Sequence, residues 1–207
     1  MSFFQGDNVK SVQHKAFVAF YNPTYRQSEL VVYSVTANRL KGKVSRSIAS
    51  FQVDPLEKSS HHTTDYTGSG FDRGHLAPAA DMVWDETAMK ECFYTTNIAP
   101  QYPGFNRGEW KSLEERVRKE AIERDSLVIY VGVIFEGAQK KGVLWVPTSF
   151  YKVIYDPKEN STISFIFPHV MKLENYGKYV SNLSQVEKVA KKEILNVKKE
   201  YSVAENF

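Results

Sequence analysis

The strongest constraint on the fold is a series of runs rich in β-branched and aromatic residues, each closed by turn-forming residues. Phe17-Val18-Ala19-Phe20-Tyr21 and Leu30-Val31-Val32-Tyr33-Ser34-Val35 flank Asn22-Pro23. Such residues suit a pleated, half-buried surface, and a close turn between two such runs favours a hairpin. The pattern predicts strands over residues 9–22, 29–36, 127–135, 143–155 and 162–167, with residues 136–142 as a turn and Pro168 as a stop. A shorter strand is expected over 48–53, ending at Asp54-Pro55, and a buried one over 93–99, ending before Pro100. Between them, residues 57–70 show no apolar period and read as a loop.

Helical signals are fewer. Leu113, Val117 and Ala121 recur every four residues and predict a helix over 108–124. Asp85 before Thr87-Ala88-Met89-Lys90-Glu91 reads as the cap of a short helix. From Ser184 onward, Val186, Val189, Ala190 and Ile194 suit a last helix that turns Lys188, Lys191, Lys192, Lys198 and Lys199 outward. Strands in sequence with a few helices give a mixed α+β class, a central, mainly antiparallel β-sheet flanked by helices. At 207 residues, without a repeat or a linker, the chain is expected to form one domain over 1–207.

Composition narrows little beyond this. Hydrophobic residues are 42% and charged residues 25%, a globular balance. A net charge of +3 is compatible with a polyanionic partner but does not identify one. Cys92 is the sole cysteine, which excludes an intrachain disulfide or a thiolate cluster, and it reads as a buried thiol. No apolar run approaches the ~18 residues of a membrane span. The first residues lack the charged-then-apolar pattern of a secretion signal.

The residues able to do chemistry begin with Gly68-Ser69-Gly70-Phe71-Asp72-Arg73-Gly74-His75-Leu76-Ala77-Pro78. A guanidinium two residues from an imidazole can grip a phosphate and remove a proton beside it. Equally, His75 can be a hydrogen-bonded core histidine and Arg73 a structural ion-pair partner of Asp72. Downstream, Asn106 is expected to begin the strong helix, with Glu114 a little over two turns later on roughly the same side. An asparagine there can offer its amide oxygen to a hard cation, with a nearby carboxylate holding the waters. It can also simply cap the helix, beside Gly104, Phe105 and Gly108. His61 and His62 in the polar loop, and His14 and His169 in strand-like contexts, are weaker candidates. On the residues alone, an enzyme and a binding module stand nearly even.

Phe71 to Pro78 resembles the signature of the DNA/RNA non-specific endonuclease family, the ββα-metal nucleases. The likeness continues through Thr96-Asn97-Ile98-Ala99-Pro100-Gln101, Phe105-Asn106-Arg107-Gly108-Glu109-Trp110, Leu113-Glu114 and Pro147-Thr148-Ser149-Phe150-Tyr151-Lys152-Val153-Ile154-Tyr155. It covers about residues 14–170, in family order and spacing.

The resemblance implies a magnesium-dependent endonuclease acting on DNA and RNA and leaving 5′-phosphate ends, with manganese as a substitute metal. It implies that His75 is the general base, Asn106 the direct metal ligand and Glu114 the carboxylate on the metal's water shell. Arg73 would lie near the scissile phosphate, and an upstream arginine would stabilise its charge. Arg46 is the choice for the latter, with Arg39 as the alternative. Asn97 and Asp72 take supporting roles. Arg107 departs from the glutamine common in close relatives, and is expected to bind substrate or to pair with Glu109. A homodimer is compatible with the resemblance, no inhibitor protein is assigned, and a secreted or periplasmic location is expected. The rival from another class is a catalytically silent nucleic-acid-binding module of the same fold.

Overall fold

The computed structural model describes residues 8–195 and 199–200. Three antiparallel strands come first, β1 (Lys10–Gln13), β2 (Phe17–Asn22) and β3 (Gln27–Thr36). A long irregular stretch then leads to β4 (Asp72–His75), α1 (Glu86–Glu91) and β5 (Ile98–Gln101). Two successive helices follow, α2 (Pro103–Arg107) and α3 (Glu109–Arg124). The chain continues through β6 (Ser126–Ile134), the hairpin of β7 (Gln139–Lys141) and β8 (Leu144–Val146), β9 (Ser149–Asp156) and β10 (Ser161–Pro168). It closes with β11 (Val180–Ser181), α4 (Leu183–Ala190) and β12 (Lys199–Glu200).

The main sheet runs β1-β2-β3-β6-β9-β10-β11 with every pair antiparallel, while β12 joins β10 in parallel. The expected α+β architecture is present. Alternation along the strands divides the side chains between two layers. Val31, Tyr33, Ile129, Val131, Phe150 and Ile154 face the larger core, with Trp110, Leu113, Val117 and Ala121 of α3. Leu30, Tyr151 and Val153 face the other way, against Leu183 and Val186 of α4. Each such side chain contributes roughly 1.5–3 kcal/mol by leaving water. No described helix is long and apolar enough to cross a membrane.

Several expectations are corrected. The run 9–22 is a hairpin of two strands, because His14 N–H bonds to Phe17 O and turns the chain. The strand expected over 48–53 does not form: Ile48 ends a 3-10 turn over 46–48, and only a bridge from Gln52 to Tyr94 remains. The run 93–99 starts as a 3-10 turn at 95–97, and the strand extends past Pro100. A proline, lacking an N–H, is accommodated there because β5 belongs to a two-stranded ribbon. Pro147 divides 143–155 into β8 and β9, and the preceding turn contains β7. The last helix stops at Lys191, which adopts a left-handed conformation with φ 53°. Lys192 is partly buried, Lys199 lies in β12, and Lys198 falls outside the described residues.

Candidate active site

The site grows from a β-ribbon followed by helices. β4 pairs with β5 in the register Asp72↔Gln101, Arg73↔Pro100, Gly74↔Ala99 and His75↔Ile98. Gly74 is required by close approach, since a Cβ there would overlap the Gln101 side chain. Asn97 then fixes the exit from β4. Its Oδ1 accepts from Ala77 N at 2.9 Å, and its Nδ2 donates to Ala77 O at 2.9 Å and Cys92 O at 2.7 Å. The supporting position expected for Asn97 is thus a buried clamp on the segment after His75.

After β5, Tyr102 caps α2 and Pro103 occupies its first turn, where a missing N–H costs nothing. The helix does not run continuously from Asn106 to Glu114, as the sequence predicts. Gly108, with φ −98° and ψ −126°, breaks it between Arg107 and Glu109. Asn106 therefore sits at the end of α2 and Glu114 in the second turn of α3. Both nevertheless line one open cleft of about 610 Å³ together with Arg46, Arg73, His75 and Arg107.

Within the cleft, Asn106 is oriented by Asp72. Its Nδ2 donates to Asp72 Oδ2 at 2.9 Å, while Arg107 donates from Nε and Nη2 to the two carboxylate oxygens at 2.8 and 2.6 Å. A carboxylate can only accept, so the amide nitrogen must face Asp72 and Oδ1 is left available. These bonds hold the Asp72 carboxyl below its ordinary range, against the opposing effect of burial. Arg107 thus pairs with Asp72 and not with Glu109, whose Oε2 accepts from Tyr176 N.

His75 is half-buried between the rings of Phe51 and Phe93, with centroids 5.3 and 4.7 Å away. Its Nε2 is covered and has no hydrogen-bond partner among the described residues. Burial first, and the Arg46 charge second, push the imidazole down to about 3, so it is neutral at pH 7. Arg46 lies over the Phe93 ring at 5.4 Å. Arg39 instead bonds to Ser34 Oγ at 2.8 Å, stacks over Trp84, and does not line the cleft. Arg73 donates from Nη2 to Thr63 O at 3.0 Å and lies over Phe51, and among the described residues its charge has no carboxylate partner.

Three cations near Glu114 escaped the sequence reading. Arg118 and Lys111 also line the cleft. They stand four residues after and three before Glu114 on α3, a helical spacing that could have found them. Arg118 donates to Asp81 Oδ1 at 3.0 Å. Lys152 lies underneath, 3.9 Å from Glu114 Oε1, with its side chain 1% exposed and its Nζ 4.3 Å from the Trp110 ring centroid. Alternation had placed it: Lys152 lies between Tyr151 and Val153 and shares the face of Phe150 and Ile154, beneath α3. Burial raises the Glu114 carboxyl, Lys152 pulls it back, Asp81 raises it again and Arg118 opposes that.

The atoms able to meet a hard cation are Asn106 Oδ1 and the Glu114 carboxylate. Among the described residues no three His, Cys, Asp or Glu side chains gather into a metal cluster. Such a donor pair suits an ion that keeps most of its waters. The remaining histidines have other partners. His14 Nε2 lies 2.8 Å from Asp54, His61 Nδ1 3.0 Å from Asp65, His62 Nδ1 2.7 Å from Thr64 Oγ1, and His169 Nδ1 2.9 Å from Pro147 O.

The chain is similar to known proteins. The chain is 35% identical to human mitochondrial endonuclease G over 155 residues, which is 68% of this chain and 52% of that protein. It is 35% identical over 178 residues to nuclease C1 of Cunninghamella echinulata var. echinulata, covering 76% and 71%. It thus spans about half the length of the endonuclease G relatives. Its fold superposes on a chain of the crystal structure of an EndoG/EndoGI complex with a TM-score of 0.84 at 25% identity, covering 98% of this chain and 94% of that one. With residues 2–202 matching the model of the DNA/RNA non-specific endonucleases, the ribbon of β4 and β5 and the helices behind it belong to a member of that family.

Proposed function

We propose that the chain is a magnesium-dependent endonuclease that hydrolyses phosphodiester bonds in both DNA and RNA, with manganese able to substitute. The observation that carries this reading is the convergence of a neutral His75 and the oriented amide of Asn106 on one cation-rich cleft.

The chemistry follows from what each side chain can do. Uncharged His75 accepts a proton from a water molecule as that oxygen attacks phosphorus. The bond from phosphorus to the 3′ oxygen breaks and that oxygen takes a proton from water, leaving a 5′ phosphate and a 3′ hydroxyl. Arg46 and Arg73 supply positive charge where the pentavalent phosphorane gathers negative charge. A phosphate in the cleft offsets the Arg46 field and so raises the basicity of His75. Asn106 would hold the metal through Oδ1, Glu114 would orient the waters around it, and Asp72 keeps the amide in place. A magnesium ion bound there would neutralise the phosphate and the departing oxygen. Arg107, tied to Asp72, adds charge at the rim for the incoming strand.

Weak sequence preference follows from the kind of contact available, and action on both sugars is inferred from the family. The cleft offers arginines suited to phosphate, which carry no base information. Incubation of plasmid DNA and of RNA with magnesium, with and without chelator, tests the reading. Chelator-sensitive cleavage of both polymers, with 5′-phosphate ends, is expected. Salt-dependent binding without cleavage would instead identify a silent binding module.

A further inference from the structure

A second groove, of about 430 Å³, opens beside the catalytic cleft between the start of β4, the cap of α2 and the β7–β8 hairpin. Its walls include Phe71, Tyr102, Lys140, Lys141, Val146 and His169. The groove and the cleft share two supports. Phe71 directly precedes Asp72, and Tyr102 O accepts the Asn106 N–H at 2.9 Å. At a rise of about 3.3 Å per residue, Phe71 lies about 7 Å from Arg73 and about 13 Å from His75 along the strand.

The floor is aromatic and electrically neutral. Tyr102 packs on Phe71 and His169, with centroids 4.9 and 4.6 Å apart. His169 donates from Nδ1 to Pro147 O, because a carbonyl can only accept, and its Nε2 accepts from Tyr102 N at 2.9 Å. That arrangement fixes one neutral tautomer. The rim is cationic. Lys141 Nζ stands 5.2 Å from the Phe71 ring centroid and Lys140 Nζ 4.9 Å from that of Trp145. Both lysines are exposed, and neither pairs with a carboxylate among the described residues. The nearest acids are engaged, Asp72 by Arg107 and Glu136 by Lys191.

Aromatic faces beside unpaired lysines form the combination that holds single-stranded nucleic acid, stacking bases and neutralising phosphates. The geometry points to this groove as a subsite for the nucleotides flanking the cleaved bond, with Lys140 and Lys141 on their phosphates and Tyr102 beside a base or sugar. This assignment rests on the endonuclease reading and extends it to how the polymer is held.

The test is the full chain carrying Lys140→Gln and Lys141→Gln, compared with the wild type and with a control carrying Lys158→Gln and Lys188→Gln, exposed lysines outside both openings. Binding to labelled single-stranded DNA and RNA oligonucleotides is measured in chelator across a range of salt. For the groove variant the slope of log affinity against log salt becomes shallower by about 1.4, at ~0.7 per lost phosphate contact on a single strand. On polymer with magnesium, its KM rises while kcat stays at the wild-type value. The control keeps the wild-type slope and KM. If the groove variant matches wild type, or the control loses as much slope, the subsite is wrong while the endonuclease reading stands. If the wild type neither binds nor cuts nucleic acid, both fail together.

Discussion

Lys152 Nζ and Glu114 Oε1 stand 3.9 Å apart beneath the cleft, and among the described residues the ammonium has no hydrogen-bond partner. A buried lysine without hydrogen bonds is costly, and its charge is tolerated here by Glu114, by Asp81 and by the face of Trp110. Removing one partner of such a pair strands the other. Lys152→Met is expected to lower stability, by less than the ~3–5 kcal/mol of a stranded buried charge, because Glu114 can take up a proton once Lys152 is gone. Chemical denaturation at pH 7 measures it. Adding Glu114→Gln should recover part of the loss, so the double variant is more stable than the sum of the singles. Additive losses would show that the two residues do not interact.

His75 is expected to titrate far below the ordinary imidazole value of 6.5, near 3. Burial is the larger cause, and the charge of Arg46 is the second. An NMR titration of the metal-free protein follows it directly. Arg46→Gln should raise the value without restoring 6.5, since burial persists. A folded His75 titrating at 6.5 would remove the desolvated environment described above.

The same shift has a consequence for stability with a definite sign. Between pH 6.5 and about 3 the unfolded chain binds a proton at His75 that the folded chain refuses. Stability from this group is therefore complete above 6.5 and is lost as pH falls. Glu114 acts oppositely. Its raised folded value means that the folded chain keeps a proton lost by the unfolded one above 4.5, so its contribution falls as pH rises. Across pH 4.5–6.5 the two oppose each other. Relative to wild type, Glu114→Gln should gain stability more steeply with rising pH there, and His75→Ala should gain it less. Denaturation midpoints at several pH values read both slopes.

The sheet was legible because Val31, Tyr33, Ile129 and Val131 alternate with residues of the opposite face, a pattern that survives without tertiary information. The helix carrying Leu113, Val117 and Ala121 was legible for the same reason. β4 was not, since Asp72-Arg73-Gly74-His75 has no apolar alternation and becomes a strand only by pairing with Ile98 to Gln101. The break at Gly108 was hidden too, because a single glycine inside a helical pattern is tolerated as often as it breaks. Within the site, the motif resemblance singled out His75, Asn106 and Glu114, which the fold brings to one cleft. Lys152 went unseen because a lysine in a strand ordinarily faces water, and only the packing of α3 over β9 buries it.

Gly74 tests how tightly β4 is held. Ala at this position would force its Cβ into Gln101, a buried side chain with neither amide atom hydrogen-bonded. Overpacking of this kind costs about 1–3 kcal/mol. Gly74→Ala should therefore lower Tm, and it should lower kcat as well, because Arg73 and His75 lie on either side of the displaced residue. Gln101→Ala opens the needed space, and combining the two should restore much of both. If the combination leaves kcat low, the defect does not come from the Gln101 contact.

Asp72 is expected to act on the metal through Asn106 alone. As a carboxylate it accepts from Asn106 Nδ2 and twice from Arg107, which fixes the direction of the amide. Asp72→Asn keeps the shape but can present its own N–H₂ toward Asn106, allowing the Asn106 amide to turn its oxygen inward. Partners that orient a ligand typically account for about 10–100-fold in metal affinity. Calorimetric titration with magnesium should show a loss of that size in Asp72→Asn, with Tm little changed. Arg107→Gln, which leaves the bond from Asn106 to Asp72 in place, should lose much less. Its side chain is 71% exposed, and an exposed ion pair adds little to stability. Equal losses in the two variants would mean that local charge, and not the orientation of Asn106, governs the ion. An unchanged affinity in Asp72→Asn would separate Asp72 from the metal altogether.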